Sequence, residues 1–367
     1  MNSDVLLAAA APYTTPLAVV DETVMQANIT AMQRLADTVG AALRPHAKTH
    51  KSARVAWLQL QAGARGLTVA TLREAEYFAQ SGVADLLLVH PPVGAPKKAR
   101  LAALAERVSH LTVAVDSLEA ALQVPKTVEL LWEVDTGHHR LGTLPGVQTV
   151  EAVKRLVDLI GIERFKGLLT FPGHVYQKAE QEEQREIAHE EIGLLRETAE
   201  LLRGQQIEVR EISVGSTPTA GFAAEVEHMT ELRPGVYVYG DANQVALGSK
   251  SLDECALGVV ATVVSTPALD RAVIDAGTKA LSVDAAVPRL TGFGKVVDHP
   301  DLTLERLSEE HGVLVSKAGT GLRIGEQVIV IPVHCCTTVN LHEKILMVSA
   351  EGSATWDETG ARGWQLL

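Results

Sequence analysis

Three short apolar runs, ALRPHAK (42–48), GLTVA (66–70) and DLLLVH (85–90), begin a pattern that continues to residue 239. Segments with helical spacing of apolar residues separate the runs, among them Lys51–Ala64 and Thr71–Ser81. Apolar strands that alternate with helices indicate a parallel β/α architecture, because each helix covers one face of the growing sheet. The chain is therefore predicted to open with an α/β fold.

The number of predicted strands narrows this fold further. After the first three runs come Leu111–Asp116, Val128–Asp135, Phe165–Phe171, Glu208–Gly215 and Glu231–Tyr239. Eight parallel strands are the number that closes a (β/α)8 TIM barrel. A doubly wound sheet has the same alternation of strands and helices, so it remains the competing fold.

The pattern changes after Gly240 to short apolar runs that are separated by turn residues, with no long helical segment between them. The runs are Cys255–Ser265, Arg271–Gly277, Val313–Lys317, Gln327–Pro332 and Lys344–Ser349. This pattern predicts a C-terminal antiparallel β domain. We expect residues 23–245 to form the barrel and residues 246–367 the β domain, which residues 1–22 join through a further strand at Pro16–Asp21.

Composition excludes several classes of protein. The 367 residues include 33 Lys and Arg against 45 Asp and Glu, a formal charge of −12. Such a charge argues against binding of nucleic acid or of an anionic membrane. No apolar run reaches the roughly 18 residues of a membrane span, and the N-terminus has no basic region typical of a secretory signal. Three cysteines, two of them adjacent, do not make a disulfide framework, so we expect a cytoplasmic protein.

Functional side chains of a β/α barrel lie at the carboxyl ends of its strands. Lys48 ends the first of these strands, with Arg44, His46 and His50 in the same segment. A lysine that is desolvated among positive charges becomes a nucleophilic amine, as a Schiff-base lysine must be. The alternative is a basic loop on the surface.

Two further strand ends carry polar groups. Arg140 follows the strand at 128–135 and could bind a carboxylate or a phenolate, or else pair with Asp135. His174 and Tyr176 follow the strand at 165–171 and are candidates for proton transfer. The alternative for these two is aromatic packing at the barrel mouth.

The turn after the strand at 208–215 consists of Gly215, Ser216 and Thr217. A glycine turn that leads into a helix offers hydroxyls and backbone N–H groups to a phosphate, and TIM barrels often bind phosphate near their last strands. Turns of this composition are common, so the signal is weak by itself.

The β domain contains VHCCTT at 333–338. If this segment is a strand, His334 and Cys336 point to the same side and can bind one metal ion. A histidine with a thiolate suits Zn²⁺ and leaves positions open for water or substrate. The alternative is a pair of buried cysteines beside an incidental histidine.

Together these segments resemble the D-serine dehydratase / D-threonine aldolase family, fold-type III pyridoxal phosphate enzymes that are metal-carrying relatives of alanine racemase. The resemblance covers nearly the whole chain. It rests on RPHAKTHK (44–51), DTGHHR (135–140), GHVY (173–176), GST (215–217), LRPGVY (232–237), DAG (275–277), SEEHG (308–312) and HCC (334–336).

The resemblance implies a homodimer with an alanine racemase-like fold, and it implies roles for individual residues. Lys48 would carry pyridoxal 5′-phosphate as a Schiff base, and Gly215, Ser216 and Thr217 would receive its phosphate, with Tyr237 close by. Arg140 would lie near the phenolate of the cofactor and Tyr176 beside its ring. His334 and Cys336 would bind the divalent metal, Zn²⁺ or Mn²⁺.

The implied activity is a lyase that acts on D-β-hydroxy amino acids. In the family, His-X-Cys is typical of zinc-binding dehydratases and His-X-Asp of aldolases that use Mn²⁺, so Cys336 favours dehydration to a 2-oxo acid and ammonia. Retro-aldol cleavage to glycine and an aldehyde, or action on a 3-hydroxyaspartate, remains an alternative. Lys48 is the expected base at Cα, and His174 is a candidate base for the β-hydroxyl.

Three other classes of protein fit less well. A metal-free amino-acid racemase of this fold needs a catalytic tyrosine in the β domain, and no tyrosine follows Asp275. Single-domain cofactor carriers lack a β domain. A TIM barrel without any cofactor would show no visible absorbance when purified.

Overall fold

The structure is a computed structural model, and it describes residues 1–284 and 286–363. Its helices are α1 (Ser3–Ala10), α2 (Glu22–Val39), α3 (Ala53–Gln61), α4 (Leu72–Gln80), α5 (Ala95–Ala105), α6 (Leu118–Ala121), α7 (Val147–Ile160), α8 (Gln181–Gly204), α9 (Thr217–Ala220), α10 (Ala242–Ala246), α11 (Thr278–Leu281) and α12 (Cys335–Leu341). Short 3₁₀ helices span Ile162–Arg164, Gly173–Gln177, Ala223–Glu225, Val236–Val238 and Leu252–Glu254.

The strands divide between two sheets. They are β1 (Leu17–Asp21), β2 (Ala42–Leu43), β3 (Leu67–Val69), β4 (Asp85–Leu88), β5 (His110–Val115), β6 (Glu129–Glu133), β7 (Phe165–Leu169), β8 (Glu211–Val214), β9 (Glu231–Leu232), β10 (Leu257–Ala268), β11 (Arg271–Ile274), β12 (Gly294–Val296), β13 (Thr303–Leu307), β14 (Gly312–Val315), β15 (Gln327–Pro332), β16 (Lys344–Val348) and β17 (Ala354–Glu358).

The chain folds into two compact units. The barrel unit comprises residues 31–48 and 55–235, together with Gly363. The β unit comprises residues 1–30, 49–54 and 236–362. Over the described residues, no helix is both long enough and apolar enough to cross a membrane.

Eight parallel strands make the barrel unit, in the order β2-β9-β8-β7-β6-β5-β4-β3. A parallel bridge joins Thr68 of β3 to His46, which follows β2, and so links the last strand of this order to the first. Ala47 donates its N–H to the carbonyl of Thr68 at 2.8 Å, and Thr68 donates to the carbonyl of Pro45 at 2.8 Å. The predicted eight-stranded barrel is thereby confirmed, and the doubly wound sheet is excluded.

Two predicted strands are much shorter than expected. The runs Ala42–Lys48 and Glu231–Tyr239 were predicted as whole strands, but regular pairing stops after Leu43 and Leu232. Each run contains a proline, Pro45 or Pro234, which has no N–H to donate to a ladder.

The longest helix of the barrel unit is α8, which spans Gln181–Gly204. Its apolar side packs on the barrel, where Leu195 belongs to the same buried cluster as Val69 and Val113 of the strands. A capping box between Thr71 and Glu74 starts α4, since each side chain accepts a hydrogen bond from the other's backbone.

Charged residues fill part of the barrel interior. Arg44 is buried, with its Nε 2.6 Å from Glu231 Oε2 and its NH1 2.7 Å from Asp85 Oδ1. Lys166 lies 3.3 Å from Glu211 in the same interior. Buried charges are stable only when they are paired, and these residues pair across strands that are distant in sequence.

The β unit contains a mostly antiparallel nine-stranded sheet in the order β13-β14-β11-β10-β1-β16-β17, with β15 paired to both β10 and β12. The N-terminal strand β1 pairs antiparallel with β10 and parallel with β16. The antiparallel prediction is therefore confirmed, apart from this one parallel pair. Three strands were missed: β12 is only three residues long, and β13 and β17 carry charged residues that weaken the strand signal.

Candidate active site

A cavity of about 300 Å³ opens at the carboxyl ends of the barrel strands. Its lining residues are His46, Lys48, Ala70, Val89, His90, Glu133, Arg140, Leu141, Leu169, Phe171 and Arg233. Most of them lie at or just beyond the end of a strand, where β/α barrels carry their functional side chains, and Arg140 and Leu141 lie in the loop after β6. Lys48 and Arg140, which are 92 positions apart by their residue numbers, are thus brought to one cavity.

Phe171 forms an aromatic wall that Lys48 and Arg140 share. Lys48 Nζ lies 5.6 Å from the centroid of the Phe171 ring, and Arg140 Cζ lies 5.0 Å from it. Cations at this distance are attracted to the face of an aromatic ring. The amine and the guanidinium therefore both lie beside the Phe171 ring.

Glu133 is the carboxylate of the cavity lining. It is buried at the end of β6, and its Oε1 lies 3.8 Å from Arg140 NH2. Burial raises the pKa of Glu133 to about 7, although Arg140 and Arg233 act to lower it. At neutral pH this carboxyl therefore exists in both protonation states.

Arg233 brings a second guanidinium to the cavity. It is buried just after β9, where its Nε donates to Ser213 Oγ at 2.7 Å and its NH2 donates to the carbonyl of Thr170. With Lys48 and Arg140 it makes three cations against the single carboxyl of Glu133. Such a lining favours an anionic ligand.

The turn at 215–217 joins β8 to α9 in the same barrel unit. Gly215 has φ +94°, a conformation that glycine adopts without strain. The N–H of Gly215 donates to Glu191, and the N–H of Ser216 donates to Thr219 Oγ1 at 2.9 Å. Two of the backbone donors therefore bond within the protein. The turn contributes no residue to the described lining of the cavity.

His174 and Tyr176 lie in the 3₁₀ helix that follows β7, half-buried and outside the described lining of the cavity. The ring of His174 packs against Gly137, where an added Cβ would come within 3.1 Å of it. Burial lowers the pKa of His174, although Glu190 and Asp135 oppose the shift. Tyr237 is buried in a 3₁₀ helix of the β unit.

The segment around His334 does not form the predicted strand. Strand β15 ends at Pro332, His334 caps the N-terminus of α12, and Cys336 lies within that helix. The reason is local: the carbonyl of His334 accepts the N–H of Thr338 at 3.3 Å and the hydroxyls of Thr337 and Thr338. The expected geometry was wrong, because these bonds turn the backbone into a helix.

The side chains of His334 and Cys336 nevertheless touch. Burial disfavours a charged imidazole, but the neighbouring Cys336 and a hydrogen bond from Nδ1 to Asp284 raise the pKa of His334 well above its usual range. Cys336 Sγ lies 3.2 Å from Thr49 Oγ1. Within the described residues no group of three or more His, Cys, Asp or Glu side chains could hold a metal ion, so this pair would have to leave positions to other ligands.

Comparisons with known proteins match both parts of the chain. The model of the alanine racemase N-terminal domain matches residues 20–243, and that of a putative serine dehydratase domain matches residues 256–348. The chain is 35% identical to D-threo-3-hydroxyaspartate dehydratase of Delftia sp., over 95% of this chain and 98% of that protein.

The chain belongs to the D-serine dehydratase / D-threonine aldolase family of fold-type III pyridoxal phosphate enzymes.

Other members of this family are similar over most of their length. D-threonine aldolase of Arthrobacter is 33% identical, over 95% of this chain and 93% of that protein, and D-serine dehydratase of Dictyostelium discoideum is 28% identical, over 88% and 90%. The solved Delftia dehydratase superposes with a TM-score of 0.87 at 34% identity, covering 96% of this chain and 98% of that one. A cysteine-to-alanine mutant of the same dehydratase, 33% identical with a TM-score of 0.87 and coverage of 96% and 98%, is described as metal-free. As a member of this family, the chain is a pyridoxal phosphate-dependent lyase.

The residues present fit both groups that the family uses. A primary amine and two guanidiniums around an aromatic wall suit an aldehyde with anionic substituents. An imidazole in contact with a thiol suits a borderline-soft divalent metal.

Sequence reasoning missed Glu133 and Arg233 and gave no role to His90. All three stand at the carboxyl ends of strands in the structure. The rule that found Lys48 and Arg140 could have found His90, which ends the predicted strand at 85–90, whereas Glu133 and Arg233 lie inside their predicted strands. Burial lowers the pKa of His90, with help from Lys97 and Arg140. Its imidazole is thus a neutral group in a cationic lining.

Proposed function

We propose that this lyase dehydrates a D-β-hydroxy amino acid to a 2-oxo acid and ammonia, using pyridoxal phosphate and a divalent metal. The observation that carries the proposal is the Lys48 amine in a cavity that also holds Arg140, Arg233 and the wall of Phe171. Family membership supports the same chemistry.

Lys48 would hold the cofactor through its aldehyde, and Nζ of Lys48 would be the base that takes the proton from Cα. When bound, the cofactor withdraws electrons from Cα. Arg140 is proposed to bind the anionic ring oxygen, and Glu133 orients Arg140 from 3.8 Å.

The remaining cofactor contacts are also proposals. Tyr176 would lie beside the ring. Gly215, Ser216 and Thr217 would receive the phosphate, mainly through the side-chain hydroxyls, since the N–H groups of Gly215 and Ser216 have protein acceptors. Tyr237 would lie near the same phosphate.

His334 and Cys336 are proposed to hold the metal, with Zn²⁺ favoured over Mn²⁺ because a thiol is a soft ligand. There the ion would supply a Lewis acid for departure of the β-hydroxide. Asp284, which bonds Nδ1 of His334, leaves Nε2 for the metal.

Product analysis tests the proposal. The purified protein is incubated with D-serine, D-threonine and D-threo-3-hydroxyaspartate, and the amounts of 2-oxo acid and of ammonia are measured. Dehydration predicts that the two are equal. We expect both products from at least one substrate and none from Lys48→Ala. Ammonia release that persists unchanged in Lys48→Ala would contradict the proposal.

A second candidate is retro-aldol cleavage, which the similarity to the Arthrobacter aldolase supports. It requires a base at the β-hydroxyl, and His174 is the candidate, with its pKa lowered by burial. Glycine and an aldehyde in the same incubations, without ammonia, would favour this reaction over dehydration.

We also propose that the enzyme is a cytoplasmic homodimer. All three cysteines are buried, and none of them forms a disulfide, as in proteins of a reducing compartment. Light scattering coupled to gel filtration measures the mass directly: twice the 39.2 kDa of one chain is expected, and the mass of one chain would contradict the dimer.

A further inference from the structure

Glu191 is a buried carboxyl that the proposed chemistry does not use. It lies on α8, whose other glutamates mostly face solvent, yet its exposed fraction is only 2%. It belongs neither to the lining of the cavity nor to an ion pair of the described residues. Glutamate is rarely buried so completely without a specific partner.

The partners of Glu191 belong to the turn after β8. Its carboxyl accepts hydrogen bonds from the side chain of Thr219 and from the backbone N–H of Gly215. Thr219 Oγ1 in turn accepts the N–H of Ser216 at 2.9 Å and lies 3.1 Å from Ser216 Oγ. From α8, Glu191 therefore contacts Gly215 directly and Ser216 through Thr219.

The second oxygen of this carboxyl has no compensating contact. Oε2 is buried and finds no hydrogen-bond partner among the described residues. Burial raises the pKa of Glu191 to about 8, with Arg233 as the charged group that opposes the shift. At neutral pH most of this carboxyl is thus uncharged, and it does not repel an anion on the far side of the turn.

We propose that Glu191 is the positioning residue of the phosphate-binding turn, which it holds so that the hydroxyls of Ser216 and Thr217 face the 5′-phosphate of the cofactor. This inference rests on the proposed function. It adds that recognition of the phosphate, rather than of the pyridine ring, depends on a side chain of an outer helix.

Two forms of the cofactor distinguish recognition of the phosphate from recognition of the pyridine ring. The apoprotein is titrated with pyridoxal 5′-phosphate and, separately, with pyridoxal, which has the aldehyde and ring but no phosphate, and the dissociation constants are read from visible absorbance. Glu191→Met keeps the size of the side chain but removes the acceptor, whereas Glu191→Gln keeps an acceptor oxygen. Thr219→Val removes the hydroxyl that bonds Glu191. Glu197 is exposed on the same helix, so Glu197→Gln is the matched control.

We expect Glu191→Met and Thr219→Val each to weaken the binding of pyridoxal 5′-phosphate by at least about tenfold, the value for one buried hydrogen bond, and to leave the binding of pyridoxal within about twofold of wild type. Glu191→Gln and Glu197→Gln should bind both forms as wild type does. The inference would be overturned if Glu191→Met and Thr219→Val weakened the binding of both forms equally, or if they bound pyridoxal 5′-phosphate as tightly as wild type does. Neither result would affect the proposed function. If the wild-type protein bound neither form, the proposed function itself would be contradicted, and this inference would fall with it.

Discussion

Replacement of Arg44 by methionine tests what stabilises the interior of the barrel unit. The side chains of Arg44 and Glu231 are 1% and 0% exposed and lie 2.6 Å apart, and Asp85 is 2.7 Å from the other side of the guanidinium. Removing one partner of such a pair leaves the other charge buried and unpaired. We expect Arg44→Met to lower the free energy of unfolding by about 3–5 kcal/mol.

Arg65 provides a matched control in the same unit. Its side chain is 44% exposed, and its NH1 lies 3.3 Å from Glu211 Oε2. Because Arg65 is half-exposed and buried Glu211 keeps Lys166 at 3.3 Å, Arg65→Met should lower the free energy of unfolding by no more than about 1 kcal/mol.

The effect of Arg44→Met should depend on pH. Burial acts to raise the pKa of Glu231, but the charge and hydrogen bond of Arg44 outweigh it and hold that pKa below its ordinary value. In wild type, the stability from ionised Glu231 is present above the unfolded-state pKa and is lost as pH falls. Without Arg44, burial raises the pKa, so the folded variant favours protonated Glu231. The deficit of the variant should therefore shrink as pH falls from about 8 toward about 4.

Urea unfolding of both variants at several pH values measures these differences. Glu231→Gln in the Arg44→Met background should recover most of the lost stability, because a neutral amide needs no cation and still accepts the hydrogen bond from Ser213, 2.7 Å away in wild type. The reasoning is refuted if Arg44→Met costs no more than Arg65→Met, or if Glu231→Gln deepens the loss.

The remaining predictions concern the cavity and the metal pair. Lys48→Ala should abolish the visible absorbance of the lysine-bound cofactor, and an unchanged spectrum would disprove the assignment. His334→Ala and Cys336→Ala should lose bound metal, measured by mass spectrometry of the purified protein, while keeping the cofactor; Cys335→Ala, whose backbone N–H bonds Asp241, is the control and should keep both. Glu133 has its pKa raised to about 7, so the stability linked to its neutral form is present at low pH and lost as pH rises to 7. In the cofactor-free protein, Glu133→Gln should therefore match wild type near pH 4 but exceed it at pH 8, by at most about 3 kcal/mol in the free energy of unfolding; equal stability at both pH values would contradict this.

The barrel could be predicted because its signal is local. Each buried strand shows as a short apolar run, and each covering helix shows as apolar residues at helical spacing, so eight repeats were counted without any long-range information. The ends of β2 and β9 were misplaced, because Pro45 and Pro234 stop the ladder while the apolar character of the run continues.

The candidate site was predictable to the extent that it follows from strand ends. Lys48 and Arg140 are found by their position after a strand, and the structure places both in the cavity. Glu133 was missed because it lies within the predicted strand at 128–135 rather than after it, and Arg233 because its strand was expected to continue to Tyr239. Contact between His334 and Cys336 was expected from the alternation of a strand, but it arises at the start of a helix.

The amino-acid sequence alone determined the order of strands and helices, the change to a β domain after Gly240 and the segments that carry reactive side chains, since each is written in neighbouring residues. Only the tertiary structure decided that Arg233 and Glu133 share one cavity with Lys48, that Glu191 reaches the turn after β8, and that β1 pairs with both β10 and β16. These arrangements depend on barrel closure and sheet register, which bring together residues far apart in the chain.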